Sequence, residues 1–139
     1  MTIKSPGFTL VELLVVVAIL GILSSIGTLA YNGYVSGAKK KTAENSMQQI
    51  GLAQTEEYSN SAEYYTQGED CEPSAVNSLD IELNLLNGSQ VITKDSDYQM
   101  CIEEVGNGTS YIVIAAKVAD GAVVADTQIT MTANGVWGN

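Results

Sequence analysis

The sequence predicts an α+β fold, in which one long N-terminal α-helix packs on an antiparallel β-sheet formed by the C-terminal part of the chain. Residues 13–38 include no charged residue, so the first part of this helix can cross a membrane. Apolar residues then continue at helical spacing as far as about Tyr58. Beyond residue 98, short alternating runs are separated by Asn-Gly and Asp-Gly dipeptides, which are typical of β-hairpins.

The composition argues against an enzyme. The 139 residues include no histidine, so the commonest general base and the commonest metal ligand are missing. All six basic residues are lysine, and 16 acids give a formal net charge of −10. Such a chain lacks the cationic face that phosphate binding requires, so we expect no direct binding to nucleic acid. We also expect no cofactor.

Residues 8–34 are predicted to form a membrane-spanning helix. About 20 apolar residues are needed to cross the hydrocarbon core, and the uncharged run from Leu13 to Ala38 exceeds this length. The apolar region of a secretory signal is shorter, at about 7–15 residues. The first 43 residues contain four lysines and the single acid Glu12, whereas the rest of the chain contains 15 acids and two lysines.

Residues 35–58 are predicted to continue the helix as an amphipathic half that lies against the sheet. The residues at helical spacing are Val35, Ala38, Thr42, Met47, Ile50, Ala53 and Tyr58. No proline interrupts the chain between Pro6 and Pro73. The prediction is one continuous helix from about Phe8 to about Tyr58, roughly 75 Å long at 1.5 Å per residue.

Residues 59–139 are predicted to form a globular head. The sequence Ser59-Asn60-Ser61-Ala62 ends the helix, and residues 62–90 are predicted to be an irregular connection that includes a short strand or a turn of helix. Strands are predicted at residues 98–105, 111–118, 122–125 and 127–132. Type I′ turns are predicted at Asn107-Gly108, Asp120-Gly121 and Asn134-Gly135.

The first residues contain a more specific pattern. The segment Gly7-Phe8-Thr9-Leu10-Val11-Glu12-Leu13 follows a short polar leader and resembles the processing and assembly motif of type IV pilins and pseudopilins. The resemblance extends through Gly21-Ile22-Leu23 and Tyr31…Tyr34, about a quarter of the chain, and the short leader is similar to that of the type IVa subclass. The chain departs from many relatives at Leu29, where they carry a proline.

The resemblance implies a maturation pathway. Residues 1–7 would be a leader peptide that a prepilin peptidase/methyltransferase removes by cutting after Gly7, and the new amine of Phe8 would be N-methylated. Glu12 and Phe8 would then act in subunit assembly. A charge inside a membrane helix costs about 2.5–3.5 kcal/mol at the helix centre and usually has a partner. Alternatively, Glu12 lies close enough to the helix end to stay hydrated, where the helix dipole also favours an acid.

The function implied by the resemblance is structural. The chain would polymerise with copies of itself and other pilins into a helical filament, using the pilus assembly machinery of the inner membrane. It would be a single-pass inner-membrane protein with its head outside the cytoplasm before assembly, and part of an extracellular pilus afterwards. A pilus of this kind serves adhesion, twitching motility or DNA uptake. The alternatives are a pseudopilin of a type II secretion system and a membrane-anchored exported binding domain.

The orientation of the helix is predicted by two opposing arguments. The positive-inside rule favours Lys39–Lys41 in the cytoplasm, whereas the resemblance places the leader inside and the head outside, which we prefer. In an exported head, Cys71 and Cys101 are expected to form a disulfide; in a cytosolic protein they would be two buried thiols. The absence of histidine and of a CxxC motif argues against a zinc site.

Two acidic clusters are candidates for calcium, Asp95-Ser96-Asp97 and Glu69-Asp70…Glu72, but neither has the full EF-hand pattern. We therefore interpret them as solvated acidic surface and predict no metal site. The segments Asn87-Gly88-Ser89 and Asn107-Gly108-Thr109 match the acceptor pattern for glycosylation. We interpret them as turn residues.

Overall fold

The computed structural model describes residues 7–94 and 97–138. The elements in chain order are α1 (Leu10–Ser61), α2 (Ala75–Asn84), β1 (Tyr98–Val105), β2 (Ser110–Ala119), β3 (Ala122–Val123), β4 (Ile129–Thr132) and β5 (Trp137–Gly138). A long N-terminal helix followed by an antiparallel sheet confirms the predicted α+β class. Of the predicted leader, only Gly7 lies within the described residues.

Helix α1 is 52 residues long and differs from the prediction by a few residues at each end. It begins at Leu10 rather than Phe8. At its C-terminal end, Ser59 Oγ donates to Thr55 O at 2.8 Å and Ser61 Oγ donates to Glu57 O at 2.9 Å. The serines that were predicted to form a loop therefore lie in the last turn of the helix and bond to its carbonyl groups. The positive φ of Ala62, 59°, then ends it.

The chain divides into two compact units, Met1–Gly37 and Ala38–Asn139. In the first unit, every described residue from Gly7 to Tyr34 is exposed. Among the described residues, α1 is the one helix that is long and apolar enough to cross a membrane, and nothing in its most apolar window of 18 residues is buried. The boundaries proposed from the sequence at residues 34 and 58 remain predictions.

The second unit contains an antiparallel sheet with the order β1-β2-β4-β5, and β3 also pairs with β2. Strands β1 and β2 are paired along the whole of β1, from Tyr98 opposite Lys117 to Val105 opposite Ser110. Strand β4 pairs with the middle of β2, and the short β3 pairs with its end. The strands predicted at residues 98–105 and 111–118 are confirmed almost to the residue.

Only one of the three predicted turns is a two-residue turn with both residues at positive φ. Asp120 and Gly121, at φ of 52° and 80°, connect the paired residues Ala119 and Ala122. The β1–β2 connection is instead four residues long, and at Asn134-Gly135 only the glycine has a positive φ. The two other turn predictions are wrong because strand register, which the dipeptides do not encode, sets the loop length.

The core of the second unit lies between α1, α2 and one face of the sheet. Its main members are Ala43, Met47, Ile50, Ile81, Leu85, Ile92, Tyr98, Met100, Ile102, Tyr111, Val113, Ala115, Ile129 and Met131. Met47 and Ile50 were predicted correctly, whereas Ala38, Thr42 and Tyr58 are exposed. Gln54, which was not predicted, is fully buried, because its side-chain amide pairs with the backbone N–H and C=O of Tyr65 at 2.9 and 2.6 Å.

Helix α2 corrects the prediction of an irregular connection between residues 62 and 90. Ser74 is its N-cap, and its Oγ accepts a hydrogen bond from Asn77 N at 3.2 Å. The helix places the side chain of Ile81 in the core, and Ser78 Oγ accepts a hydrogen bond from Met100 N at 2.8 Å. Ten residues of helix are therefore stabilised by contacts with β1 that the local sequence does not reveal.

The connection before α2 runs along the edge of β1 that does not pair with β2. Gln67 N donates to Ile102 O at 2.8 Å, and Glu104 N donates to Gly68 O at 2.8 Å. Tyr65, which precedes this segment, donates its hydroxyl proton to the Asp80 carboxylate on α2. Backbone and side-chain bonds thus attach the connection to both β1 and α2.

Tyr65 predicts an alkaline transition in the second unit. Burial, helped by the hydrogen bond to the Asp80 carboxylate, raises the pKa of Tyr65 from 10.0 to about 12. Its contribution to stability should be fully present below pH 10 and should be lost as the pH rises towards 12, because the folded state retains the proton more tightly. Thermal melting across this interval measures the effect, and Tyr65→Phe should reduce the slope. An equal slope in both proteins would contradict the assignment.

Candidate functional site

Gly7 and Phe8 lie in an exposed, non-helical segment immediately before α1. The side chain of Phe8 is 73% exposed. Among residues 7–94 and 97–138, no atom lies within 4 Å of a Cβ atom built on Gly7. Packing within these described residues therefore does not require glycine at this position.

Thr9 and Glu12 form a capping box at the start of α1. Thr9 Oγ1 accepts a hydrogen bond from Glu12 N at 3.2 Å, and the Glu12 carboxylate accepts one from Thr9 N at 2.9 Å. Thr9 Oγ1 also lies 2.6 Å from Glu12 Oε2. The two residues thereby satisfy donors that the first turn of a helix leaves unpaired.

The capping box explains why the helix begins at Leu10, and it identifies a local partner for Glu12. The Thr-x-x-Glu spacing is the usual sequence signature of such a box, although we did not predict one from it. All of these residues are exposed. In the uncleaved chain the nitrogen of Phe8 is part of a peptide bond, so a charged amine becomes available to Glu12 only after cleavage.

Cys71 and Cys101 are brought together by the connection along β1. Their Sγ atoms are 2.13 Å apart, a disulfide distance, and their Cα atoms are 6.0 Å apart. Cys101 is fully buried in β1, whereas Cys71 lies in the connection before α2. We propose that the two form a disulfide in the mature protein, fixing the connection to the sheet.

Replacing Cys71 or Cys101 by serine should destabilise the second unit by roughly 3–4 kcal/mol, the value of the chain-entropy model for a loop of this length. The double variant should be little worse than either single variant, because one substitution already removes the whole crosslink. Thermal melting of the three variants measures this. Unchanged melting temperatures, or two titratable thiols in the exported protein, would exclude the bond.

The structure adds no support for the candidate calcium and glycosylation sites within the residues that it describes. Asp95 and Ser96 lie outside the described residues. Over residues 7–94 and 97–138, no group of three or more acidic or cysteine side chains is arranged to hold a metal ion. Asn87 and Asn107 both have positive φ and are each followed by a glycine with positive φ, consistent with their interpretation as turn residues.

Comparison with known proteins matches residues 4–28 to the prokaryotic N-terminal methylation motif. No curated protein and no solved structure matches the chain. The matched segment contains Gly7, Phe8 and the capping box, and it includes most of the apolar part of α1. The motif suggests a structural protein rather than an enzyme. The chain carries the type IV pilin signature at its N-terminus, and its long helix followed by an antiparallel sheet fits a pilin.

Proposed function

We propose that this protein is a structural subunit of a type IV pilus. A prepilin peptidase/methyltransferase cleaves it after Gly7 and methylates the new amine of Phe8. The inner-membrane assembly machinery then polymerises it with copies of itself and other pilins. The observation that carries this proposal is the methylation motif at the start of a helix that is exposed throughout residues 7–34.

The exposed apolar side chains of α1 require two successive environments in this proposal. They include Leu10, Leu13, Ile19, Leu20, Ile22, Ile26 and Leu29, each of which is between 52% and 79% exposed. In the bilayer, lipid surrounds them and the helix satisfies its own backbone hydrogen bonds. In the filament, the same side chains pack against the helices of neighbouring subunits and form an apolar core.

The proposal also assigns an orientation. The apolar helix and the motif are compatible with anchoring in a membrane before assembly. A cysteine pair at disulfide distance is typical of a compartment outside the cytoplasm. We therefore place residues 59–139 outside the cytoplasm in the inner-membrane form and on the surface of the extracellular pilus.

Mass spectrometry of the exported protein tests the proposal. Removal of residues 1–7 from the 139-residue chain should leave 132 residues that begin with N-methyl-Phe8. Retention of Met1, or cleavage far downstream, would support a membrane-anchored binding domain instead. A knockout strain would separate a pilus subunit from a secretion pseudopilin: we expect it to lose surface filaments and to retain secretion.

A further inference from the structure

The outer face of α2 carries three large aliphatic side chains that are exposed. Val76, Leu79 and Leu83 are 76%, 48% and 60% exposed. They are three and four residues apart, so they lie along one side of the helix over about 10 Å. We call these three residues the α2 stripe. Three clustered aliphatic side chains on a surface favour contact with another molecule.

The α2 stripe is held in a fixed position because the opposite face of the helix is already anchored. Ile81 is fully buried in the core, and Ser78 accepts a hydrogen bond from Met100 N. The buried carboxylate of Glu82 accepts hydrogen bonds from the backbone N–H groups of Ile92 and Thr93 at 2.7 and 2.9 Å. These contacts hold α2 in an orientation that leaves the stripe exposed.

The charges around the α2 stripe favour a cationic partner. Asp80 lies beside the stripe on α2, and Glu72 lies just before the helix; both are exposed. From Glu44 onwards the chain holds 15 acids and two lysines, so an anionic lipid surface would repel this part of the molecule. The positive charge of the chain is concentrated instead at Lys39–Lys41.

The segment Tyr31–Lys41 of α1 has the complementary chemistry. Tyr31 and Tyr34 are 67% and 77% exposed. Lys39 and Lys41 are ion-paired with Asp97 and Glu44, and over the part of the chain that the structure describes Lys40 has no ion pair. At the end of a membrane span, tyrosines and lysines suit the lipid–water interface. A subunit that leaves the bilayer loses that environment and needs another.

We propose that the α2 stripe of one subunit docks on the Tyr31–Lys41 segment of a second copy in the filament. The aliphatic side chains cover the tyrosine rings, and Glu72 and Asp80 face Lys41, which follows Tyr34 by seven residues and so lies on the same side of the helix. This contact rests on the proposed polymerisation and names a surface and a partner for it. Because the charges lie beside the apolar contact, the interface has an apolar centre with charged groups at its edge.

Truncation of the stripe tests the proposal. The double variant Leu79→Ser/Leu83→Ser should be processed normally, because both side chains are exposed, but should yield about tenfold fewer sheared filaments. Leu52→Ser is the matched control, since Leu52 is 74% exposed on α1 outside the proposed contact. It should assemble at the wild-type level. Equal losses in both variants would contradict the assignment to α2.

Cysteine crosslinking tests the partner surface directly. The native cysteines lie at disulfide distance from one another, so new thiols can be introduced without competition. In filaments that mix Leu79→Cys and Tyr34→Cys subunits, oxidation should produce dimers that each contain one copy of both variants. Filaments that mix Leu52→Cys and Tyr34→Cys subunits should produce none.

The outcomes separate this contact from the polymerisation on which it rests. If the wild-type protein forms no filaments, the proposed function fails and this contact with it. If wild-type filaments form while the stripe variant assembles at the wild-type level without crosslinks, only the contact is overturned. A third outcome is that the stripe variant assembles normally while its head, in the membrane form, is cut by protease more readily than the wild-type head. That result would show that the stripe binds lipid, and it would also overturn the proposed contact.

Discussion

A chain with arginine in place of Gly7 is expected to accumulate at full length in the membrane and to form no filaments. The peptidase must hold an unbranched backbone at the bond that it cuts, and a long cationic side chain beside the membrane surface obstructs this. A Cβ atom at position 7 has no atom of the described residues within 4 Å, so the start of a side chain there meets no steric obstacle among them. Loss of processing would therefore report on the peptidase and not on the fold.

The control for Gly7→Arg is the same substitution at Gly37. This glycine is also exposed, and a Cβ atom built on it has no described atom within 4 Å. Gly37→Arg adds the same charge and bulk outside the methylation motif, so it should be cleaved normally. Immunoblots of membrane fractions separate precursor from mature protein. Mature Gly7→Arg protein at the wild-type level would refute the cleavage site.

Hydrophobic periodicity predicted the parts of the fold that bury a regular face. The second half of α1 and the β1–β2 hairpin are of this kind, since apolar residues recur in each with the period of the element. Met47 and Ile50 were placed correctly in the core for the same reason. A periodic apolar face indicates that one side of an element is buried, whichever element covers it. It can therefore be recognised without knowing the tertiary structure.

Elements stabilised by distant hydrogen bonds could not be predicted in this way. Gln54 and Glu82 are buried although they are polar, because backbone groups of Tyr65, Ile92 and Thr93 bond to their side chains. These partners are 10 or 11 residues away in the sequence and meet the side chains only after folding. Helix α2 was missed because it depends on such contacts.

The candidate site was predicted from its motif, but its local geometry was not. Gly7, Phe8 and Glu12 were identified by resemblance, which says nothing about the conformation before cleavage. The hydrogen bonds between Thr9 and Glu12 show that the carboxylate already has a partner in the precursor. Pairing with the amine of Phe8 therefore has to replace these bonds or add to them, and this affects how Glu12 should be tested.

Glu12→Val should insert and be cleaved normally but should form few or no filaments when it is the only copy present. Valine costs less than glutamate in lipid, so insertion should not suffer. In the proposed maturation, cleavage creates a charged amine at Phe8 that enters an apolar environment with the subunit. There, a charge that has lost its partner costs about 3–5 kcal/mol, which lowers each association constant by more than about a hundredfold. Sheared filament yield and the level of mature protein in the membrane measure the two effects separately.

Two further variants separate the charge of Glu12 from its role in the capping box. Glutamine at position 12 keeps the box but removes the charge, so Glu12→Gln should fail to assemble, as Glu12→Val does. Thr9→Ala keeps the charge but removes the cap, at a cost of about 1 kcal/mol to the helix start, so it should still form filaments. The reverse pattern would assign Glu12 to helix capping. Wild-type filament yield from both Glu12→Val and Glu12→Gln would eliminate the pairing role altogether. In a staggered stack of helices, pairing between the Glu12 carboxylate and the Phe8 amine of a neighbour would fix the axial register, which apolar packing alone specifies poorly.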